Sequence, residues 1–361
     1  MTALAHPRRR ESRPTVRVVV LTWNGRAWLD RCLSALADER TTTTEVVVVD
    51  NASDDGSADF VRDRFPWVRV IALPANVGFA RGNNIGAADA TTDHLIFLNN
   101  DTEVAPGWLS ALLEPVEADS TVGLVTSHIV FLDRPDIIDS AGDGYLRCGG
   151  AFKRGHGRPA REAGPEDEVF GACGAAFLIR RELFARLHGF DERFFVVYED
   201  VDLSYRARLL GARVMYAAGA VCRHAGGASL GWATGQAIYY GQRNLEWTWI
   251  QNSPPSILWR SLPQHIVYSL AAGLAYASQG QFRPWLAAKV AAVLGLPQAL
   301  VRRRRIQRTA VVDPNDLWAL MEPRWVAVKR REKRFAFSLP AREVSPVRTE
   351  LPATSESGGP P

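Results

Sequence analysis

Three stretches of this 361-residue chain hold side chains whose type and setting suit them to chemistry. Asn99, Asn100 and Asp101 directly follow the apolar run HLIFL. A carboxylate on the turn after a buried strand is placed to hold a divalent cation against a diphosphate. Hard cations take oxygen ligands and often keep only one or two protein carboxylates, with water and phosphate completing the shell. Asp101 and Thr102 would also serve as a helix cap ahead of Pro106. Glu199 and Asp200 follow FFVVY. A carboxylate leaving so apolar a stretch is partly dehydrated, which suits it to take a proton from a hydroxyl. The helix dipole also favours carboxylates at that position, and Asp202 and Arg206, four apart, are expected to pair along the same helix. His224 precedes a glycine-rich turn, and its neutral imidazole is a candidate second metal ligand.

These residues need a frame. VRVVVLT (16–22) is a near-continuous β-branched run, the pattern of a strand buried on both faces; EVVVVD (45–50) reads as a second buried strand, VRVIAL (68–73) as a third strand and the apolar HLIFLN (94–99) as a fourth. Helical spacing follows the first (27–38), and helix starts follow the second and third. Four such alternations predict an α/β sheet that begins parallel. Ligands of such sheets sit off the carboxyl ends of the strands. Thr22 and Asn24, then Asp50, Asn51 and Ser53, then Asn76 and Gly78, then Asn99, Asn100 and Asp101 all fall at those ends. Each alone is an ordinary turn or cap residue; together they describe one crevice. Residues 132–170, rich in Gly, Pro, Arg and Asp, read as a long irregular segment. Order returns as a strand over 171–180, short helices over 181–187 and 200–210, and a strand pair over 212–224.

Lys and Arg number 43 against 39 Asp and Glu, too even a balance for a nucleic-acid coat. The four cysteines, Cys32, Cys148, Cys173 and Cys222, have neither zinc nor C-x-x-C spacing. No apolar window reaches the length of a spanning helix, and no secretory pattern opens the chain, so the expected location is cytoplasmic.

Taken in order, VVVLTWNG, VVVVDNASDDGS, NVGFARGNNIGA, IFLNNDTEV, GACGAAFLIRR, GFDERFFVVYEDVDLSYR and HAGGASLG resemble the family 2 glycosyltransferases of the GT-A fold. Within them the chain is most similar to the bacterial rhamnosyltransferase-like branch, over about residues 15–250. The resemblance implies a Rossmann-like mixed sheet flanked by helices, with a C-terminal helical extension. It implies that Thr22, Asn24, Asp50, Asn51 and Ser53 hold the nucleoside, and that Asn76, Gly78 and Asn83, with Asn100, line the diphosphate and donor sugar. Asp101 corresponds to the metal-binding end of a D-x-D motif, with His224 completing the site for Mg²⁺ or Mn²⁺. Asp200 corresponds to the catalytic base and Glu199 to an acceptor contact; Gly174 and Phe177 lie in a strand bordering the acceptor. The sequence departs from the pattern in one place: Asn99 stands where the motif's first aspartate would be, so metal affinity rests on Asp101. The implied reaction is an inverting transfer of a sugar, L-rhamnose from dTDP-rhamnose or else a sugar from a UDP donor. The acceptor is a hydroxyl of a cell-surface glycan or polyprenyl-linked molecule.

The expected organisation is a basic tail (1–14), a catalytic domain (15–230), a helical extension (231–339) and a tail without fixed structure (340–361). Within the extension, 232–252, 262–278 and 284–301 read as helices, the last closed by Arg302, Arg303, Arg304 and Arg305. Apolar helices flanked by arginine suit an anionic membrane surface, which would place the enzyme peripherally on the inner face of the cell membrane. A serine-hydrolase reading rests on Gly227-Ala228-Ser229-Leu230-Gly231, which fits G-x-S-x-G. The partners available to Ser229 are Glu246 and His265, both in predicted helices. No nucleic-acid-binding signature accompanies the arginine clusters, and no nucleic-acid partner is expected.

Overall fold

The computed structural model describes residues 14–226 and 234–338. The tails expected at 1–14 (except Pro14) and 340–361 lie outside the described residues, as does Ser229. β1 (Val16–Thr22), α1 (Arg26–Glu39), β2 (Thr44–Asp50), α2 (Ser57–Arg64), β3 (Arg69–Ala72), α3 (Gly78–Ala87) and β4 (His94–Asn99) alternate as the sequence predicts. There follow β5 (Thr102–Val104), α4 (Trp108–Ala118), β6 (Val122–Phe131), β7 (Ile138–Ser140), β8 (Asp143–Tyr145), β9 (Ala151–Lys153), β10 (Asp167–Glu168), β11 (Ala176–Arg180), α5 (Arg181–Arg186), α6 (Glu199–Leu209) and β12 (Arg213–His224). The main sheet has the order β10-β12-β6-β11-β4-β1-β2-β3. β12, β6, β4, β1, β2 and β3 run one way, and β11 runs against its neighbours β4 and β6.

The apolar runs explain the layering. Successive side chains of a strand point to opposite faces. Val18, Val20, Val46, Val48, Ile96 and Leu98 join the core beneath α1 and α4, whereas Val19, Val47, Val49, Leu95 and Phe97 join the opposite core. α3 lies very close to β1: a Cβ at Gly86 would stand 2.4 Å from Val19 Cγ1. The one charge inside β1, Arg17, is matched by Glu45 at 2.8 Å and Asp89 at 2.5 Å.

Several expectations are corrected. Residues 132–170 are not simply an irregular segment: they contribute β7, β8, β9 and β10, and most of 138–151 is buried. The strand expected from 171 begins at Ala176, because the N–H groups of Ala172, Cys173 and Gly174 donate to side chains of Ser204, Thr126 and Asp200 instead of to a ladder. The strand pair expected over 212–224 is the single strand β12, whose pairing with β6 shifts between Ala217 and Val221. The turn-like AAGA sequence makes a bulge there, not a hairpin.

Beyond the sheet lie α7 (Gly235–Asn252), α8 (Pro255–Ser278), α9 (Phe282–Leu294), α10 (Leu296–Thr309), α11 (Pro314–Leu320) and α12 (Trp325–Ser338). The helix expected over 284–301 is thus broken, with a 60° bend between α9 and α10. Gly295 ends α9, and Pro297, which has no N–H to give, sits in the first turn of α10. Asp202 fastens these helices to the sheet domain. Fully buried, it accepts from Arg206 Nε at 2.7 Å, Gln251 Nε2 at 2.9 Å and Asn252 Nδ2 at 2.8 Å. Arg206 also donates to the carbonyls of Leu187 and Gly189, so the expected pair along α6 exists and extends further. Asp202→Ala strands a buried guanidinium and two amides, and should lower unfolding stability by about 3–5 kcal/mol, measured by urea denaturation.

Candidate active site

The polar strand ends gather on one edge of the sheet. Thr22, Asp50, Asn99 and His224 end strands that run in the same direction, and Gly174 precedes the antiparallel β11 at that same edge. Thr22 Oγ1 accepts from Asn100 Nδ2 at 2.9 Å, linking the ends of β1 and β4. Asn24, in the left-handed region at φ 51°, donates its N–H to Ser53 Oγ and accepts from the Asp54 N–H, while Asp50 Oδ1 accepts from the Ser53 N–H. Asn51 spans to the next loop: its amide donates to Asn76 Oδ1 at 2.9 Å and its oxygen accepts from the Val77 N–H at 2.8 Å. These expected nucleoside and diphosphate residues therefore form one hydrogen-bonded rim.

The rim is tied to the loop that leads to Asp200. Phe79 and Ala80 N–H groups, at the start of α3, both donate to Phe195 O. Gly78 has φ +83°, and a Cβ there would lie 2.6 Å from the Phe195 ring, so no other residue fits without moving that loop. Asn83 is turned inward: it is buried and donates to Phe79 O within its own helix. Phe195, Val197 and Tyr198 all have positive φ, a strained run for side-chain-bearing residues. Asn244 of α7 holds it, its amide nitrogen lying 2.9, 2.9 and 2.7 Å from the carbonyls of Phe194, Val196 and Val197.

At the end of this run Asp200 accepts from the Gly174 N–H and the Val201 N–H, each at 2.8 Å. A Cβ at Gly174 would lie 2.7 Å from Asp200 Oδ2. Burial pushes the Asp200 carboxyl above its ordinary range, the backbone donors pulling the other way. Glu199 is pushed well up by burial and by the charge of Asp200, and its Oε2 is buried without a partner. Asn99 N–H donates to Ala175 O at 2.9 Å, next to Gly174. Asp200 and Asp101 are thereby connected through one pair of adjoining loops. Phe177, expected at the acceptor border, instead packs in the aromatic core against Phe97 and Phe190. Arg81 is exposed, 3.7 Å from Glu192.

His224 Nε2 lies 3.3 Å from Asp101 Oδ1, and both side chains are buried. The other ring nitrogen, Nδ1, meets Asp139 Oδ2 at 2.7 Å. A carboxylate behind a histidine fixes the ring and leaves the opposite nitrogen for a metal, the usual support of a ligating imidazole. Asp139 is held in turn by Lys153 Nζ at 2.8 and 2.9 Å. Among the described residues no three His, Cys, Asp or Glu side chains form a complete metal cage. The donor set fits a cation that takes its remaining ligands from phosphate and water.

Asp139, Lys153 and Asp143 were missed in the sequence. Lys153 stands opposite Asp143 in the β8–β9 ribbon, yet it turns to Asp139, leaving Asp143 Oδ1 buried without a partner. The available signal was Ile137-Ile138-Asp139, a carboxylate closing a short apolar run as Asp50 closes β2. His265 and Glu246, the partners that a serine nucleophile would need, are bound to each other at 2.8 Å. Lys289 caps Glu246 at 2.5 Å, and Trp249 stacks on His265 at 3.8 Å.

The sequence model described as Glycosyl transferase family 2 matches residues 17–187. Over that stretch, just under half of its length, the chain is similar to the family 2 glycosyl transferases. It is 29% identical over 231 residues to N-acetylglucosaminyl-diphospho-decaprenol L-rhamnosyltransferase of Mycobacterium tuberculosis, covering 57% of this chain and 75% of that one. It is 33% identical over 252 residues to the pre-mycofactocin glycosyltransferase of the same species, covering 66% of this chain and 49% of that one. Among solved structures it is similar to the mannosyltransferase PcManGT of Pyrobaculum calidifontis in complex with GDP-Man and Mn²⁺ (TM-score 0.52, 20% identity, 86% of each chain). It is also similar to S. aureus TarS 1–349 (TM-score 0.51, 15% identity, 83% of this chain and 95% of that one). The fold is GT-A, a mixed sheet flanked by helices, and the protein is a glycosyltransferase.

Burial and the neighbouring charge of Asp200 raise the Asp143 carboxyl well above its ordinary range. A carboxyl raised on folding leaves stability intact below its unfolded pKa, near 3.9, and removes it as pH rises from there towards the folded value. Asp143→Asn should therefore melt higher than the wild type at pH 8, with the gap narrowing at pH 5, as read by scanning calorimetry.

Proposed function

We propose that this family 2 enzyme transfers L-rhamnose from dTDP-L-rhamnose to a hydroxyl of a polyprenyl-linked glycan, with inversion at the anomeric carbon, at the inner face of the cell membrane. One observation carries the proposal. A carboxylate fixed by two backbone N–H groups, Asp200, stands on the same sheet edge as the Asp101–His224 pair, connected to it through the Ala175–Asn99 bond. The likeness to a decaprenol-linked rhamnosyltransferase supports the choice of sugar and acceptor.

The rim of Thr22, Asn24, Asp50, Asn51 and Ser53 offers carbonyl, hydroxyl and carboxylate groups to a base and ribose. Asn76 and Gly78 shape the adjoining diphosphate path, which Asn83 supports from within α3. Asp101 and His224 would hold Mg²⁺ or Mn²⁺, which when bound supplies positive charge against the departing diphosphate. Asp139 keeps the His224 Nδ1 side engaged, so Nε2 faces Asp101. Asp200 removes the proton of the acceptor hydroxyl as that oxygen bonds to the anomeric carbon and the bond from the sugar to diphosphate breaks on the opposite face. Its raised pKa makes it a stronger base than a solvated aspartate. Glu199, beside it with a free oxygen, accepts from a second acceptor hydroxyl. One displacement suffices, without a covalent sugar–enzyme intermediate.

Asp200→Asn should cut transfer by about 10²–10⁴-fold while dTDP still raises the melting temperature. Near-normal turnover in this variant would remove Asp200 as the base. A thermal-shift series with dTDP and UDP, each with and without Mn²⁺, tests the donor half. The wild type should respond most to dTDP with Mn²⁺, and Asp101→Ala should lose the cation-dependent part. A response to UDP alone would replace the donor.

A further inference from the structure

From Trp247 to Val312 the chain holds eight Lys or Arg and no acidic residue, whereas the rest holds 35 Lys and Arg against 39 Asp and Glu. The enzyme is therefore electrically divided: a net negative sheet domain and a strongly positive α8–α10 segment. The same segment carries an unusual amount of uncovered apolar surface. On α8, Trp259, Ile266, Leu270 and Leu274 recur at helical spacing, with Trp259 71% and Leu274 75% exposed. On α9, Phe282, Leu286, Val290 and Leu294 do the same, with Leu294 77% exposed. Four-residue steps place such side chains on one face of a helix. The opposite faces are committed inward: Ile257, His265 and Tyr268 of α8 are buried, and Ala288 and Ala292 of α9 lie towards α7, where Trp247 Nε1 donates to Ala292 O. A Cβ at Gly273 of α8 would lie 2.8 Å from Trp285 of α9, so the two helices pack closely against each other there.

We propose that the outer face of α8 and α9, together with the exposed Arg283 of α9 and Arg304, Arg305 and Arg308 of α10, is a docking surface for an anionic lipid bilayer, on which the enzyme lies without crossing it. Among the described residues no single helix is long and apolar enough to span, and α9 with α10 would do so only as a pair bent by 60°. Helices with one apolar face, one face held by protein and flanking arginines lie in the interface plane. Charge selects the occupant. A two-fold contact with a second copy would set one cationic face against another, while anionic headgroups neutralise it. The four arginines of the run divide: Arg304 and Arg305 are exposed, whereas Arg302 lies 3.1 Å from Asp191 and Arg303 donates to the carbonyls of Ile250 and Ser253. This deepens the membrane location proposed above but does not depend on which sugar is moved.

The test uses the full chain and vesicles, with no substrate. The four native cysteines are buried, so Leu274→Cys takes an environment-sensitive fluorophore selectively. Its emission should shift to the blue with vesicles of 30% phosphatidylglycerol in phosphatidylcholine and stay unchanged with phosphatidylcholine alone. The same label at Arg62→Cys on α2 should not respond. In cosedimentation, Leu274→Glu combined with Leu294→Glu should weaken binding about ten-fold or more, and Arg304→Gln with Arg305→Gln should reduce the preference for anionic lipid. Circular dichroism and melting confirm that each variant is folded. Equal binding to both vesicle types, no binding to either, or a stable dimer that Leu274→Glu dissociates would overturn the proposal. Vesicle binding by a chain that fails every donor assay would leave this surface standing and remove the functional reading instead.

Discussion

The bond from the Gly174 N–H to Asp200 is the constraint on which the site depends. It is one of the bonds that delay the start of β11: the backbone just before Ala176 gives its donors to side chains, and one of these is the carboxylate proposed to act as base. The next residue, Ala175, accepts from Asn99, so the loop that fixes Asp200 also fixes the approach to Asp101. A glycine is required because a Cβ would occupy the space of the Asp200 carboxylate. Asp200 and the approach to Asp101, the two ends of the proposed reaction, are thus held by adjoining residues of one loop.

Much of the frame was legible. The apolar runs placed four parallel strands almost to the residue: β1, β2 and β4 are buried on both faces, which permits little else, while the edge strand β3 is only partly covered. The polar residues closing those runs were legible for the same reason, since the sequence changes character where each strand leaves the core. What was not legible lacked a period. Asp139, Asp143 and Lys153 lie in a segment dense in glycine and charge, whose order comes from long-range pairing with β6, β12 and Gly171. Asn244 gave no signal at all: a polar residue in the middle of a helix reads as surface, and here it is fully buried beneath a strained loop. Phe177 misled in the opposite sense, because a strand bordering a site has one face towards it and one towards the core.

Buried charge is the price of this arrangement. Asp143 and Glu199 keep unpartnered oxygens in the interior, and each is pushed towards its neutral form by the desolvation it suffers and by Asp200 nearby. Asp202 shows the contrasting solution, with three donors and no orphan oxygen. The helix α6 thus carries carboxylates of two kinds within one turn: Asp202 and Asp200, held by donors on both oxygens, and Glu199, with one oxygen left without a donor.

The bend at Gly295 has a consequence for how the arginine run is dissected. It turns α10 back so that Arg302 and Arg303 reach Asp191 and the end of α7, while their neighbours stay in solvent. Four identical side chains in a row therefore belong to two different machines, one bracing the interior and one meeting the surroundings. Neutralising the whole cluster at once would confound anchorage with architecture; only pairwise dissection separates them.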